Sequence, residues 1–244
     1  MFKQTQNISR RDVVAGISAT IMLPTAARAG LFGSGKSINI VIIENADVYR
    51  EKDWPLLEMV KARVLKPLTE DRHLKSSNDK VIDIITSSDA NESLFTGSPS
   101  ELFNAGLDIM EATKVVSSCN DVAAAYKQAR LRVDLVQPES ISITHIGSMI
   151  NIPFGCHEET DIVLPHPLPK NLILGSLASD PRTTAFHAYM VSGDQQKLLL
   201  DHLKVFGAFD RHVEGELDLK VKTPSTTIDE LGLRPALQKA ASTN

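Results

Sequence analysis

Gly30-Leu31-Phe32-Gly33-Ser34-Gly35-Lys36-Ser37-Ile38-Asn39-Ile40-Val41-Ile42-Ile43 is the stretch on which the fold turns. Its first eight residues match G-x-x-x-x-G-K-S, the spacing of a phosphate-cradling loop. That chemistry needs a strand before the loop and a helix after it, so that backbone N–H groups and a helix N-terminus meet the phosphates. Here the residues after Ser37 are a nearly continuous β-branched apolar run, which reads as a buried central strand over residues 38–43. The glycine-rich residues 30–36 are then a tether, and ATP is not an expected ligand.

Upstream, Ser9-Arg10-Arg11-Asp12-Val13-Val14 leads into a moderately apolar stretch broken at Pro24, and Ala27-Arg28-Ala29 places small residues at the two positions a signal peptidase reads. This arrangement resembles the twin-arginine signal family. The resemblance implies recognition of Arg10 and Arg11 by the twin-arginine export machinery, cleavage before Gly30 and a periplasmic mature protein. It implies no cofactor.

The chain has 244 residues, 42% hydrophobic and 23% charged, which suits one domain with a proper core plus the leader. No apolar run reaches the roughly 18–20 residues of a membrane helix, so no span is expected in the mature part. The formal net charge is −4; Lys3, Arg10, Arg11, Arg28 and Asp12 of the leader sum to +3, leaving −7 for the remainder. An acidic domain without a basic stripe does not suit nucleic acid.

Downstream, Leu56, Leu57, Val60, Val64, Leu65 and Leu68 recur at helical spacing behind Asp53-Trp54-Pro55. Residues 81–86 read as the second strand, 92–96 as a short antiparallel return, and 99–115 and 119–134 as two helices. Val122, Ala125, Tyr126, Ala129 and Val133 mark the inner side of the second. Residues 141–146 alternate as a strand, 172–174 read as a weaker strand, and 184–191 as a strong one. A helix is expected over 195–207 and a last β-like stretch over 212–221. Residues 151–170 read as a long loop, with a short strand at 162–164. The division expected is a leader at 1–29, a tether at 30–36, an α/β domain at 37–222 and a polar tail at 223–244.

This order predicts an α/β fold: a mostly parallel central sheet with helices on both faces, Rossmann-like in its layering, and one antiparallel hairpin strand. Strand, helix, strand–hairpin–strand, two helices and further strand–helix units resemble the von Willebrand factor A-type domain. Residues 81–96 are similar to that family's central hairpin, Ser118-Cys119-Asn120-Asp121 to the stretch opening its next helix, and 184–207 to its closing strand and helix. The resemblance implies a divalent metal held at the strand ends by an Asp-x-Ser-x-Ser run, a Thr and an Asp. At those places this chain has Glu44-Asn45-Ala46-Asp47-Val48, then Ser118 or Cys119, then a position near Ile146. Most of the oxygen ligands a hard cation needs are absent, so the expected metal site is degenerate and no cofactor is predicted, although a remodelled divalent-metal site remains open.

Ligands of open α/β sheets bind at the C-terminal strand ends. That edge is expected to present Glu44, Asp47, Ser87, Ser88, Asp89, Ser118 and Cys119. Cys156-His157-Glu158-Glu159, with Asp161, His166 and His145, is an alternative set of metal-ligating types in a loop, although its spacing matches no standard site. Cys119 and Cys156 can form one disulfide in an oxidising compartment. His187 and His202 are read as ordinary strand and helix residues, and no nucleophile elbow or H-E-x-x-H motif is present. The expectation is an exported, non-enzymatic module that binds an envelope protein. The alternative is an envelope metal-dependent hydrolase using the acidic rim or the Cys156–His166 loop.

Overall fold

A computed structural model describes residues 36–46, 54–70, 79–114, 119–152 and 165–241, all in the unit Ser34–Asn244. The leader residues Arg10, Arg11, Ala27 and Ala29, the tether to Gly35, Asp53 and the strand expected at 162–164 lie outside the described residues.

Six strands form one sheet in the order β3-β2-β1-β4-β5-β6. They are β1 (Ser37–Ile43), β2 (Lys80–Thr86), β3 (Phe95–Gly97), β4 (Ser140–Ile146), β5 (Thr183–Tyr189) and β6 (Asp218–Val221). All neighbours are parallel except β2 and β3, which pair antiparallel through Ile82↔Gly97, Asp83↔Thr96 and Ile84↔Phe95. The expected α/β class, with its one antiparallel strand, is the observed one. The central strand runs in register with both neighbours, so that Ile43 lies beside Thr86 and Ile146.

Alternation along β1 explains the two cores. Ile38, Ile40 and Ile42 face one layer, and Val41 and Ile43 face the other. The first layer contains α3 (Val122–Val136), α4 (Leu174–Ala178), α5 (Gly193–Val205) and α6 (Ala208–Val213). The second contains α1 (Trp54–Leu68), α2 (Pro99–Ala112), α7 (Pro224–Glu230) and α8 (Arg234–Ala241). Each fully buried Ile or Leu contributes on the order of 1.5–3 kcal/mol by leaving water. The helix starts follow local chemistry: Ser98 and Glu101 close a capping box on α2, and Asp121 accepts from Ala124 N at the start of α3. Buried Lys61 ties α1 to the end of α2, its Nζ reaching Glu58 at 2.6 Å and the Thr113 carbonyl at 3.0 Å.

Four local expectations are corrected. Residues 172–174 form no strand, because β5 takes the place beside β4 and Leu174, Leu177 and Ala178 bury at helical spacing in α4. The stretch from 212 is helical to Val213, and only Asp218–Val221 is strand. There Arg211 gathers the carbonyls of Ala178, Asp180, Pro181, Thr183 and Glu216 and fixes the turn ahead of β6. The polar tail at 223–244 instead contains α7 and α8; Ile228 of α7, Leu237 of α8, and Leu231 and Leu233 between them pack on the second core. The hairpin return is also displaced: β3 begins at Phe95, after a turn through Asn91 and Glu92.

Candidate functional site

The strand order reverses beside β1: the chain leaves β1 toward the layer of α1, and leaves β4 toward the layer of α4. Such a switch point opens a crevice at the C-terminal strand ends. Glu44 is the first residue past β1, and its backbone N–H bonds Ile146 O at the end of β4, 2.9 Å away.

Its side chain turns inward. Glu44 is fully buried, which corrects the expectation that it faces the rim. Oε1 accepts from His145 Nε2 at 2.8 Å and from Met149 N at 2.8 Å. Oε2 accepts from Asn120 Nδ2 at 3.0 Å, Ser148 N at 2.8 Å and Ser148 Oγ at 2.7 Å. The two successive amides form a small anion nest, made possible by Met149 at φ 65. Gly147 supplies the room: a Cβ there would lie 2.2 Å from Glu44 Cδ. Burial pushes the Glu44 carboxyl up, but the hydrogen bond and charge of His145, with the bonds from Ser148 and Met149, outweigh it and hold the group below its ordinary value.

The partners are themselves held. Asn120 Nδ2 also donates to Ile150 O, and the Asn120 backbone bridges Ile152 in both directions at 3.0 and 2.7 Å. A carboxylate only accepts, so His145 donates the proton of this bond from Nε2, and its other ring nitrogen is Nδ1. That Nδ1 has no partner among the described residues, and neither do Tyr126 Oη, Asn120 Oδ1 and Ser87 Oγ. The Tyr126 ring stacks on His145 at 5.7 Å, and burial with the Glu44 charge raises its phenol well above the ordinary value. Ser87 joins the tip through its backbone, receiving Asp121 N at 2.9 Å and donating to Ile43 O at 3.0 Å. Asn45 accepts from Ser88 N at 3.4 Å, and Asn151 caps α3 through Ala123 N at 3.1 Å.

The outer rim is what remains for a ligand. Ser88 is half-buried and Asp89 exposed. Cys119 is half-buried and disulfide-bonded; the chain's other cysteine, Cys156, lies outside the described residues. Asp47, Ser118, His157 and Glu158 also lie outside them. Of the alternative loop set only His166 is described, its backbone clamped by Gln195 at 2.7 and 2.8 Å. His145 serves Glu44. His187 is bonded to Asp218 at 2.7 Å, and His202 packs on Phe206.

The residues at the tip do not fit the cation of the resembled family. The one described carboxylate at the matching place is occupied by five donors of this chain, and Ala46 offers no side-chain oxygen. Among the described residues, no group of three or more His, Cys, Asp or Glu could hold a metal ion, and no helix is long and apolar enough to cross a membrane. Sequence reasoning missed Asn120, Gly147 and Ser148. Their only signal was a polar or glycine residue just past a strand or before a helix, which turns supply everywhere.

No family model and no curated protein matches the sequence. Solved structures do share the fold. The structure of proximal thread matrix protein 1 from the mussel byssus is 11% identical with a TM-score of 0.50, over 82% of this chain and 45% of that one. The crystal structure of the SpRpn10 VWA domain is 11% identical with a TM-score of 0.48, over 80% and 93%. The pilus adhesin SpaC from Lactobacillus rhamnosus GG is 10% identical with a TM-score of 0.48, over 83% and 30%. This chain thus spans less than half of the mussel protein and of the adhesin. At such identities the likeness is one of fold alone.

Proposed function

We propose that the chain is an exported, non-enzymatic protein-binding module of the cell envelope, built on a von Willebrand A-like fold and working without a metal at its tip. The observation that carries this reading is the inward carboxylate of Glu44. A carboxylate saturated by internal donors is poorly placed to coordinate a cation, to act as a general base or to attack a substrate. What it does is lock the ends of β1 and β4 and the segment before α3 into one rigid edge. A rigid polar edge at a switch point suits recognition of a partner surface, because little ordering remains to be done on binding. The leader-like residues Arg10 and Arg11 and the periplasmic destination they imply belong to this reading.

The test replaces Ser88 with a photo-crosslinking residue in the full chain, in cells that produce it, with a second crosslinker at exposed Lys127 on α3 as control. The expected result is one discrete protein adduct from position 88, absent from position 127 and unchanged by EDTA. Loss of the adduct in EDTA, or stoichiometric metal in the purified protein that raises its melting temperature, overturns the metal-free reading. Arg10→Lys with Arg11→Lys is expected to leave the protein in the cytoplasm; unchanged periplasmic recovery overturns the export route.

A further inference from the structure

Ser87 Oγ, Asn120 Oδ1, Tyr126 Oη and His145 Nδ1 are buried polar atoms with no partner among the described residues. None of the four side chains belongs to a residue more than 1% exposed. Buried polar groups are almost always bonded, and four unpartnered ones in one place would cost much of the stability of a fold.

They are in one place. Asn120 and His145 bond the two oxygens of the same carboxylate, Glu44 Oε2 and Oε1. The Tyr126 ring lies on the His145 ring, nearly parallel at 5.7 Å. Ser87 adjoins both ends of this group through its backbone. Its N–H donates to Ile43 O, one residue before Glu44, and its carbonyl accepts from Asp121 N, one residue after Asn120.

Turning the side chains does not relieve them. Asn120 Nδ2 serves two acceptors, Glu44 Oε2 and Ile150 O, and a flipped amide would set oxygen against both. His145 is held through Nε2 by Glu44. A half-turn of the Tyr126 ring leaves Oη where it is. The chemistry of the four atoms selects what can satisfy them. Asn120 Oδ1 only accepts, the Tyr126 and Ser87 hydroxyls have protons to give, and His145 Nδ1 gives or accepts according to the charge of the ring. A cation answers lone pairs alone, and an anion would face the Glu44 charge. Water both gives and accepts, and a buried water makes about three such bonds.

We propose that ordered internal water bridges Ser87, Asn120, Tyr126 and His145 as a fixed part of the brace around Glu44. It brings the side chains of Tyr126 on α3 and Ser87 at the end of β2 into a network whose direct bonds, among the described residues, reach neither. The inference concerns the interior of the tip and does not rest on the tip's proposed role in binding a partner.

The test pairs a variant with a structure, both in the full chain. Tyr126→Phe removes one hydroxyl and keeps the stacked ring. With water on Oη, the unfolding constant from urea denaturation is expected to rise by about five- to tenfold. An unchanged or lower constant means that the hydroxyl has no partner, and overturns the proposal. A high-resolution crystal structure of the natural protein gives the readout that does not depend on the variant folding. Water within hydrogen-bond distance of at least two of the four atoms is expected. A metal ion or another side chain of the protein in that position, or four atoms in contact with apolar groups alone, overturns the proposal.

Discussion

Replacing Glu44 by alanine should be among the most damaging single changes at the tip. Among the described residues the carboxylate accepts five hydrogen bonds, all from buried groups. Each bond to a charged group is worth about 1.5–3 kcal/mol in isolation, and the values do not add, because the freed donors share one small space. Removing the carboxylate leaves several buried donors unsatisfied, at about 1–3 kcal/mol each before relaxation. Taking about 4 kcal/mol against a total stability of about 5–15, and about 2–4 °C per kcal/mol for a domain of this size, the melting temperature should fall by about 8–16 °C. Thermal and urea unfolding by circular dichroism measure it. The pH dependence carries a sign. The folded-state value of Glu44 lies below its unfolded one, so the unfolded chain binds the proton more readily and stability is lost as pH falls through the folded value. The advantage of the natural protein over Glu44→Ala should therefore be complete near neutrality and begin to shrink below about pH 4.5. A loss under about 1 kcal/mol, or recovery of the variant by magnesium, would refute the reasoning that this carboxylate is an internal brace.

Gly147→Ala, which forces a Cβ against Glu44 Cδ, should cost about 1–3 kcal/mol; combined with Glu44→Ala the losses should sum to clearly less than their total, and strict additivity in a double-mutant cycle argues against the shared space. Asp83 is buried, bonded to Thr96 at 2.5 Å, with no partner for Oδ2 among the described residues, and burial raises its carboxyl despite Thr96, Arg132 and Ser93. Its folded value above the unfolded one means that the folded state binds the proton more readily, so the ionised group is a burden at neutral pH that acid relieves. Asp83→Asn should then be neutral to stabilising at pH 7, within about 1 kcal/mol, and any gain should vanish toward acid; a loss above about 2 kcal/mol by urea unfolding contradicts this. Arg211→Lys should cost about 2–3 kcal/mol, because an ammonium cannot match the guanidinium fork among five carbonyls; thermal stability equal to the natural protein's removes the staple from the account.

The sheet was legible where one physical cause dominates. Residues 38–43 carry nothing but apolar and amide side chains, and burial on both faces follows. The hairpin after β2 was legible as a turn between β-rich runs, although not its register, which α2's capping box fixes by holding Ser98 immediately beyond β3. The short elements were not legible. Leu172, Leu174 and Leu177 suit strand or helix equally until β5 occupies the neighbouring sheet position. Residues 228–237 looked polar because Ile228, Leu231, Leu233 and Leu237 are spread among charged residues over two short helices and the turn between them. At the tip, the sequence located Glu44 and misjudged its direction. A carboxylate past a strand normally seeks water; here donors from 76 to 105 positions away reach it first. Contacts of that span leave no trace in local composition.

Glu44 and Gly147 compete for one volume, and that constrains which substitutions this tip tolerates. Enlarging residue 147 alone collides with the acid; shortening the acid alone strands the amides that grip it. The two positions are therefore tolerant of change only together, whereas the outer rim, which neither of them fills, accepts single substitutions far more readily than the brace beneath it.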